Sequence, residues 1–172
     1  MLIRRYEATD ADQVHKIHAQ AFRRPDAPDA VPPEVTLLEA LIDAGDVIPG
    51  LSLVAVRDDH LAGHVVCSRA TVAAHTVAAL GPIGVLPRDQ GVGVGHSMMH
   101  AALGAADALD VPLVGLLGST EYYSRFGFVP AASLGIGSPY PELSHLFQVR
   151  TLAAFDPTIV GPFRYAPAFD LV

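Results

Sequence analysis

One segment limits what this chain can become more than any other. The apolar run Ile83-Gly84-Val85-Leu86 passes directly into Pro87-Arg88-Asp89-Gln90-Gly91-Val92-Gly93-Val94-Gly95-His96. This order predicts a strand that leaves through a glycine-dense turn into the start of a helix. Such a turn gathers several backbone N–H groups around one concave spot, at the positive end of the helix dipole. Side chains at the glycine positions would hold an anion away from the backbone. The expected ligand is a phosphorylated cofactor.

Spacing narrows the choice. A dinucleotide fingerprint needs G-x-G-x-x-G, and the residue three after Gly93 is His96, so that frame fails. A P-loop needs Gly-Lys-Ser/Thr, and the segment holds no lysine. Gln90-x-x-Gly93-x-Gly95 does match the pattern Q/R-x-x-G-x-G/A, with Gly84-Val85-Leu86-Pro87 before it and Met98-Met99-His100-Ala101-Ala102-Leu103 after it. About twenty residues after Gly93, Leu113-Val114-Gly115-Leu116-Leu117-Gly118 reads as a buried strand. It runs into Ser119-Thr120-Glu121-Tyr122-Tyr123-Ser124-Arg125-Phe126-Gly127-Phe128.

The two blocks together resemble the GNAT superfamily of acyl-CoA-dependent N-acetyltransferases. Tyr123, Gly127 and Phe128 stand at the positions of that family's Y-x-x-x-G-F ending. The form Tyr-Tyr-x-Arg-Phe-Gly-Phe and the tail from Gly161 to Phe169 resemble one bacterial subgroup. The resemblance covers essentially the whole chain. It implies a single α+β domain over residues 1–172, built on a mixed, mostly antiparallel sheet of about six to seven strands with flanking helices. A splayed strand pair, parting after the fourth strand, would form the cofactor site. The implied activity is transfer of an acetyl group from acetyl-CoA to a primary amine by direct attack. The alternative is a CoA-binding regulatory or interaction module without turnover.

Composition agrees with a folded domain. Its 172 residues suffice for one core, and 51% are apolar, which excludes a disordered chain. Eleven basic against eighteen acidic residues leave a net charge of −7, which argues against nucleic acid or an anionic membrane as partner. The expected acceptor is a small-molecule or peptide amine. A single cysteine, Cys67, rules out an internal disulfide. Met1-Leu2-Ile3-Arg4-Arg5 is followed by polar residues, so a cytoplasmic location is expected, and the eight histidines show no metal-binding spacing. The resemblance also implies a homodimer.

The remaining elements follow from periodicity. Ile3 to Glu7 reads as a strand. Asp10 with Gln13 reads as a capping box opening a helix with Val14, Ile17, His18, Ala21 and Phe22 on one face. Four prolines make residues 23–33 a loop, and a second helix is expected over Glu34 to Ala44. Leu51 to Val56 and Leu61 to Ser68 form a hairpin around Arg57-Asp58-Asp59-His60. A strand from Thr76 to Val85 is interrupted by Gly81-Pro82, which marks a bulge. The helix after the glycine turn is expected to bury Val94, Met98, Ala101, Ala102, Ala105 and Leu109. Further strands are expected over Leu146 to Leu152 and near Phe163 to Tyr165.

The resemblance then distributes roles. Backbone amides from Gln90 through Gly91, Val92, Gly93, Val94 and Gly95 hold the pyrophosphate, with His96 at the helix start. Freed backbone groups near Ile83 and Val85 bond the pantetheine amides. Arg88 either adds charge against a phosphate or is a solvated cation. Ser119 is a candidate pantetheine contact, and Phe126 either core or a cofactor flank. Tyr123 is the candidate general acid, since a phenol of ordinary pKa ~10 stays protonated at neutral pH. No carboxylate lies between Thr76 and Leu86 to serve as base. Glu121, His64, His75, His145 and a solvent-filled channel all stay open for that role. Cys67 reads as a small buried residue.

Overall fold

The computed structural model describes all 172 residues. Its trunk is a run of antiparallel strands, β2 (Val47–Arg57), β3 (His60–Val72) and β4 (His75–Val85), with β1 (Leu2–Arg5) on the edge of β2. The turn between β2 and β3 is made by Asp58 and Asp59, left-handed at φ 47° and 61°. Two successive left-handed residues match the twist of a hairpin, and Asp tolerates that conformation better than most side chains.

After β4 the chain crosses through α3 (Val94–Ala108) and returns as β5 (Leu113–Leu117), parallel to β4. β8 (Phe147–Thr151) pairs antiparallel with β5, and β6 (Val129–Pro130) pairs with β8. β9 (Gly161–Arg164) joins the far end of β3, with β7 (Ile136–Gly137) beside it. The sheet has nine strands rather than six or seven. The surplus is β6 and β7, two-residue pairings too short to show any periodicity in sequence.

β4 and β5 part company early. They pair only at Ala78↔Val114 and Ala79↔Gly115, while β4 continues to Val85 and β5 to Leu117. The cause lies in β4 itself. Opposite β3, Cys67 pairs with Leu80 and Val65 with Ile83, so Gly81 and Pro82 stand against the single residue Val66. That is a bulge, and it bends β4 away from its neighbour. Proline has no N–H for a ladder, so its place at the bulge costs no bond.

Helices cover both faces. α3 packs on one side, where an added Cβ at Gly63 would meet Met98 Cε at 2.7 Å. α1 (Ala11–Ala21) and α2 (Pro33–Asp43) cover the other, and His18 of α1 lies over Gly84 of β4. Two sequence expectations are corrected here. α3 buries Met99, Leu103 and Ala106 alongside Val94, Met98 and Ala102, while Leu109 is exposed. Ala101 and Ala105 are half-buried at the border of that face, and Leu109 is the cap residue beyond the last helical turn. Asp10 makes no box with Gln13. Its buried carboxylate takes both terminal nitrogens of Arg4, at 2.7 and 2.8 Å, and the Glu7 N–H at 2.9 Å.

Candidate active site

The glycine turn delivers free donors. Gln90 N–H reaches the Pro87 carbonyl at 3.4 Å, and Ser97 N–H reaches the Gly93 carbonyl at 3.0 Å. The amides of Gly91, Val92, Gly93, Val94, Gly95 and His96, which lie between them, donate to no backbone carbonyl. Gly91 and Gly93 are left-handed at φ 76° and 92°, and nothing lies within 4 Å of where a Cβ would sit on either. Glycine therefore supplies both the conformation and an open approach. Consecutive unpaired amides at a helix start form a cradle that fits a diphosphate.

The cradle is held from below by a residue that the sequence did not single out. Asp89 is buried in the turn Pro87–Asp89. It accepts from His60 Nε2 at 2.9 Å, Arg57 Nη1 at 3.1 Å and, more weakly, Arg88 Nε at 3.4 Å. The His60 hydrogen bond foremost holds this carboxyl below its ordinary pKa. Asp89 thus ties the loop to the β2–β3 turn. Gln90 adds a second tie, donating from Nε2 to the Val85 carbonyl at 3.0 Å. The Arg88 side chain is 67% exposed at the loop surface.

Other expected residues fall around this loop. His96 is exposed, with its Nε2 3.2 Å from that of His100. Phe126 is buried, its ring packed against His96, His100 and Tyr122 at centroid distances of 5.1, 5.3 and 5.5 Å. It lies beneath the loop as core. Ser119 caps α4 (Thr120–Tyr123), its hydroxyl accepting from Tyr122 N–H at 3.3 Å.

Tyr123 closes the wedge from the β5 side. An added Cβ on Gly118 would stand 2.5 Å from Tyr123 Cε2, so the glycine is what lets this ring lie across the end of β5. Burial, with a smaller contribution from Tyr122, pushes the Tyr123 hydroxyl up to about 12. It holds its proton firmly at neutral pH.

Where the strands have parted, a cavity of about 550 Å³ opens. β4 contributes Leu80 through Ile83, and Leu117 and Tyr123 face them. Phe22, Glu34 and Leu37 come from the α1–α2 region, while Tyr140, Glu142, Tyr165 and Phe169 come from the C-terminal part of the chain. None of Glu121, His64, His75 and His145 lines it. His64 is buried instead, with Nδ1 2.8 Å from His18 Nε2 and Nε2 2.9 Å from Ser52 Oγ. Burial holds both imidazoles in the neutral form by lowering their pKa values. Cys67 is also buried, which pushes its thiol up to about 12 and leaves it inert.

The carboxylates that do reach the cavity are Glu34 and Glu142. Neither carries a local signal. Glu34 reads as an acid in the first turn of a helix, where the dipole favours it, and Glu142 sits in an irregular segment.

This arrangement has counterparts among known proteins. The family model for the acetyltransferase (GNAT) domain matches residues 2–131. An uncharacterised N-acetyltransferase of Escherichia coli K12, YjhQ, is 28% identical over 168 residues, which is 93% of this chain and 89% of that protein. The crystal structure of the E. coli GNAT family N-acetyltransferase YhbS in complex with CoA superposes with a TM-score of 0.86 at 25% identity, covering 98% of this chain and 91% of that one. A GNAT family acetyltransferase from Brucella melitensis, solved with acetyl-CoA, gives a TM-score of 0.77 at 28% identity, with 98% and 97% covered. With the parted strands, the amide cradle and most of the chain matched at once, the protein belongs to the GNAT acetyltransferase family.

Proposed function

We propose that the protein transfers an acetyl group from acetyl-CoA to a primary amine in a single direct step. The observation that carries this reading is the run of six unpaired amides, Gly91 to His96, at the mouth of the β4–β5 wedge. Bound there, acetyl-CoA supplies a thioester: the amine nitrogen forms a bond to the acetyl carbon as the carbon–sulfur bond breaks. The cradle amides hold the diphosphate, with Arg88 as a surface cation beside them. The β5-facing edge of β4, including Ile83 and Val85, has no strand partner beyond Ala79 and can bond the amides of the pantetheine arm. Gln90 already bonds the Val85 carbonyl, so it also fixes the end of that edge.

Tyr123 then handles the leaving proton. Its hydroxyl at about 12 is a weaker acid than an ordinary thiol near ~8.5. Full transfer to a thiolate is uphill by itself, so the hydroxyl hydrogen-bonds the sulfur as negative charge develops and releases its proton only as another replaces it. The phenol is replenished by an N–H proton of the nitrogen after it has attacked as the neutral amine, and the proton lost earlier, when the ammonium became that amine, goes to solvent. The one thiol of the chain is buried and protonated, which favours direct attack over a covalent acyl-enzyme.

The test is acetyl-CoA-dependent thiol release over an amine panel, together with Tyr123→Phe. That variant is expected to lose about 10²–10⁴-fold in kcat with the KM for acetyl-CoA nearly unchanged. Wild-type kcat across the pH range would remove Tyr123 from this role. Tight CoA binding with no thiol release for any amine would instead select a regulatory, CoA-binding module.

A further inference from the structure

We infer that the acceptor is a primary amine on an aromatic body without a carboxylate, an arylalkylamine in chemical class. This rests on the acetyl-transfer reading above. The wedge cavity, at about 550 Å³, has the size of a small-molecule site. Of its sixteen lining residues eleven are hydrophobic, and the only charged side chains are Glu34 and Glu142. No Lys, Arg or His faces it. Tyr140, next to Glu142 in the wall, has its hydroxyl raised by burial and then by the charges of Asp170 and Glu142, so negative potential persists at that end. A cation is the complementary guest, and an acceptor bearing its own carboxylate meets two like charges with nothing to pair it.

The walls say what the cation is attached to. Five of the twelve aromatic residues of the chain line this one cavity: Phe22, Tyr123, Tyr140, Tyr165 and Phe169. Three of these form a near-parallel stack. Tyr165 lies 4.2 Å from Phe169 at 20° and 5.9 Å from Tyr140 at 28°. Rings packed away from the cavity meet edge to face, as Tyr122 with Phe126 at 61° and Phe147 with Phe163 at 64°. A parallel stack presents flat faces, and a flat guest continues it. The ammonium of an arylalkylamine is then held by Glu34 and Glu142 while its ring lies along the aromatic wall.

The experiment compares 2-phenylethylamine, phenylalaninamide, phenylalanine, ethanolamine and spermidine as acceptors, read as thiol release at saturating acetyl-CoA. The expected kcat/KM for 2-phenylethylamine exceeds that for ethanolamine by about 100-fold, the worth of one well-buried ring. Phenylalanine is expected to fall well below phenylalaninamide, from which it differs by the carboxylate. The double variant E34Q/E142Q is expected to raise the KM for 2-phenylethylamine at least about tenfold, with acetyl-CoA affinity unchanged. Ethanolamine or spermidine matching 2-phenylethylamine would overturn the proposal, as would phenylalanine matching its amide. Binding of 2-phenylethylamine to the CoA-loaded protein, followed by saturation-transfer NMR, requires no turnover. Amine bound in a Glu34- and Glu142-dependent way but never acetylated would uphold the pocket and overturn acetyl transfer. Spermidine acetylated with no 2-phenylethylamine signal would do the reverse.

Discussion

The wedge between β4 and β5 has two mouths, and they are made of different material. At the α3 mouth the free polar groups are backbone amides from one stretch of chain, Gly91 to His96, and the side chains there mainly brace the loop. At the other mouth the cavity is lined by side chains, brought from β4, the α1–α2 region, the end of β5 and the C-terminal part. Backbone donors persist through most side-chain substitutions, so such a site suits a ligand that every member of a family shares. A surface of side chains from separate segments can be altered one residue at a time, which suits a guest that differs between relatives. The contrast predicts that substitutions at one mouth leave the other mouth's ligand unaffected.

The largest effect is expected from Gly93→Val. Gly93 is left-handed at φ 92° and opens α3. A β-branched residue there strains the backbone by about 1–2 kcal/mol and stands in the anion's approach. Acetyl-CoA affinity is expected to fall at least about 100-fold, or about 2.7 kcal/mol. Gly45→Val is the matched control. Gly45 is left-handed at φ 71°, equally open around its Cβ position, and lies beyond the end of α2. Both variants should lose similar thermal stability, and calorimetry should find cofactor affinity lost only at Gly93. Equal affinity in the two variants would place the diphosphate elsewhere.

Asp89→Ala sharpens the same contrast at smaller scale. It removes the carboxylate that collects His60, Arg57 and Arg88 under the loop. The expected cost is about 1–3 kcal/mol of stability, because the three basic partners that remain are partly or largely exposed and can be solvated. The cradle loosens, and acetyl-CoA affinity is expected to drop about tenfold with acceptor KM unchanged. A fall in acceptor affinity of the same size would show that the two mouths are coupled through the β2–β3 turn.

The difference between the mouths also explains what could be read from sequence. The amide cradle depends on glycines at fixed spacing within one segment, so Gln90, Gly93 and Gly95 announced it. Gly81-Pro82 announced the bulge that parts the strands. Glu34 and Glu142 were silent because they stand more than a hundred residues apart in the chain and share a cavity only after the C-terminal segment folds back across the wedge. Asp89 was silent for the same reason: its partners His60 and Arg57 lie about thirty residues upstream. Of the base candidates, His64 lies inside the core with His18, because a histidine's residue type says nothing of its burial.

Phe22→Ala probes the proposed acceptor mouth. Phe22 follows α1, lines the cavity and stacks on His18 with centroids 5.9 Å apart. Removing its ring strips apolar wall from the acceptor while touching nothing in the cradle. We expect the KM for an aromatic amine to rise about fivefold to tenfold, close to 1 kcal/mol, and acetyl-CoA affinity to stay within twofold. Steady-state kinetics with each substrate varied in turn checks both halves.

The smallest effect on either mouth is expected from the His18–His64 pair, and it is read as stability. The pair sits behind both mouths, with His18 over Gly84 of β4 and against Phe22 of the cavity wall. Burial, reinforced by mutual proximity at His64, sets both folded-state pKa values below the ordinary histidine value of ~6.5. Below that pH the unfolded chain binds more protons than the folded one, so stability rises with pH there. The contribution is complete above about pH 6.5 and is lost as pH falls towards the depressed folded values. Each histidine loses on the order of 1 kcal/mol by one unit below its unfolded pKa. Scanning calorimetry should therefore show Tm a few degrees lower at pH 5.5 than at pH 7.5. The double variant H18Q/H64Q has no imidazole to charge, and its Tm should depend less on pH over that interval. An unchanged pH slope in the variant would mean that other groups govern the acid limb and that the pair is indifferent to protonation.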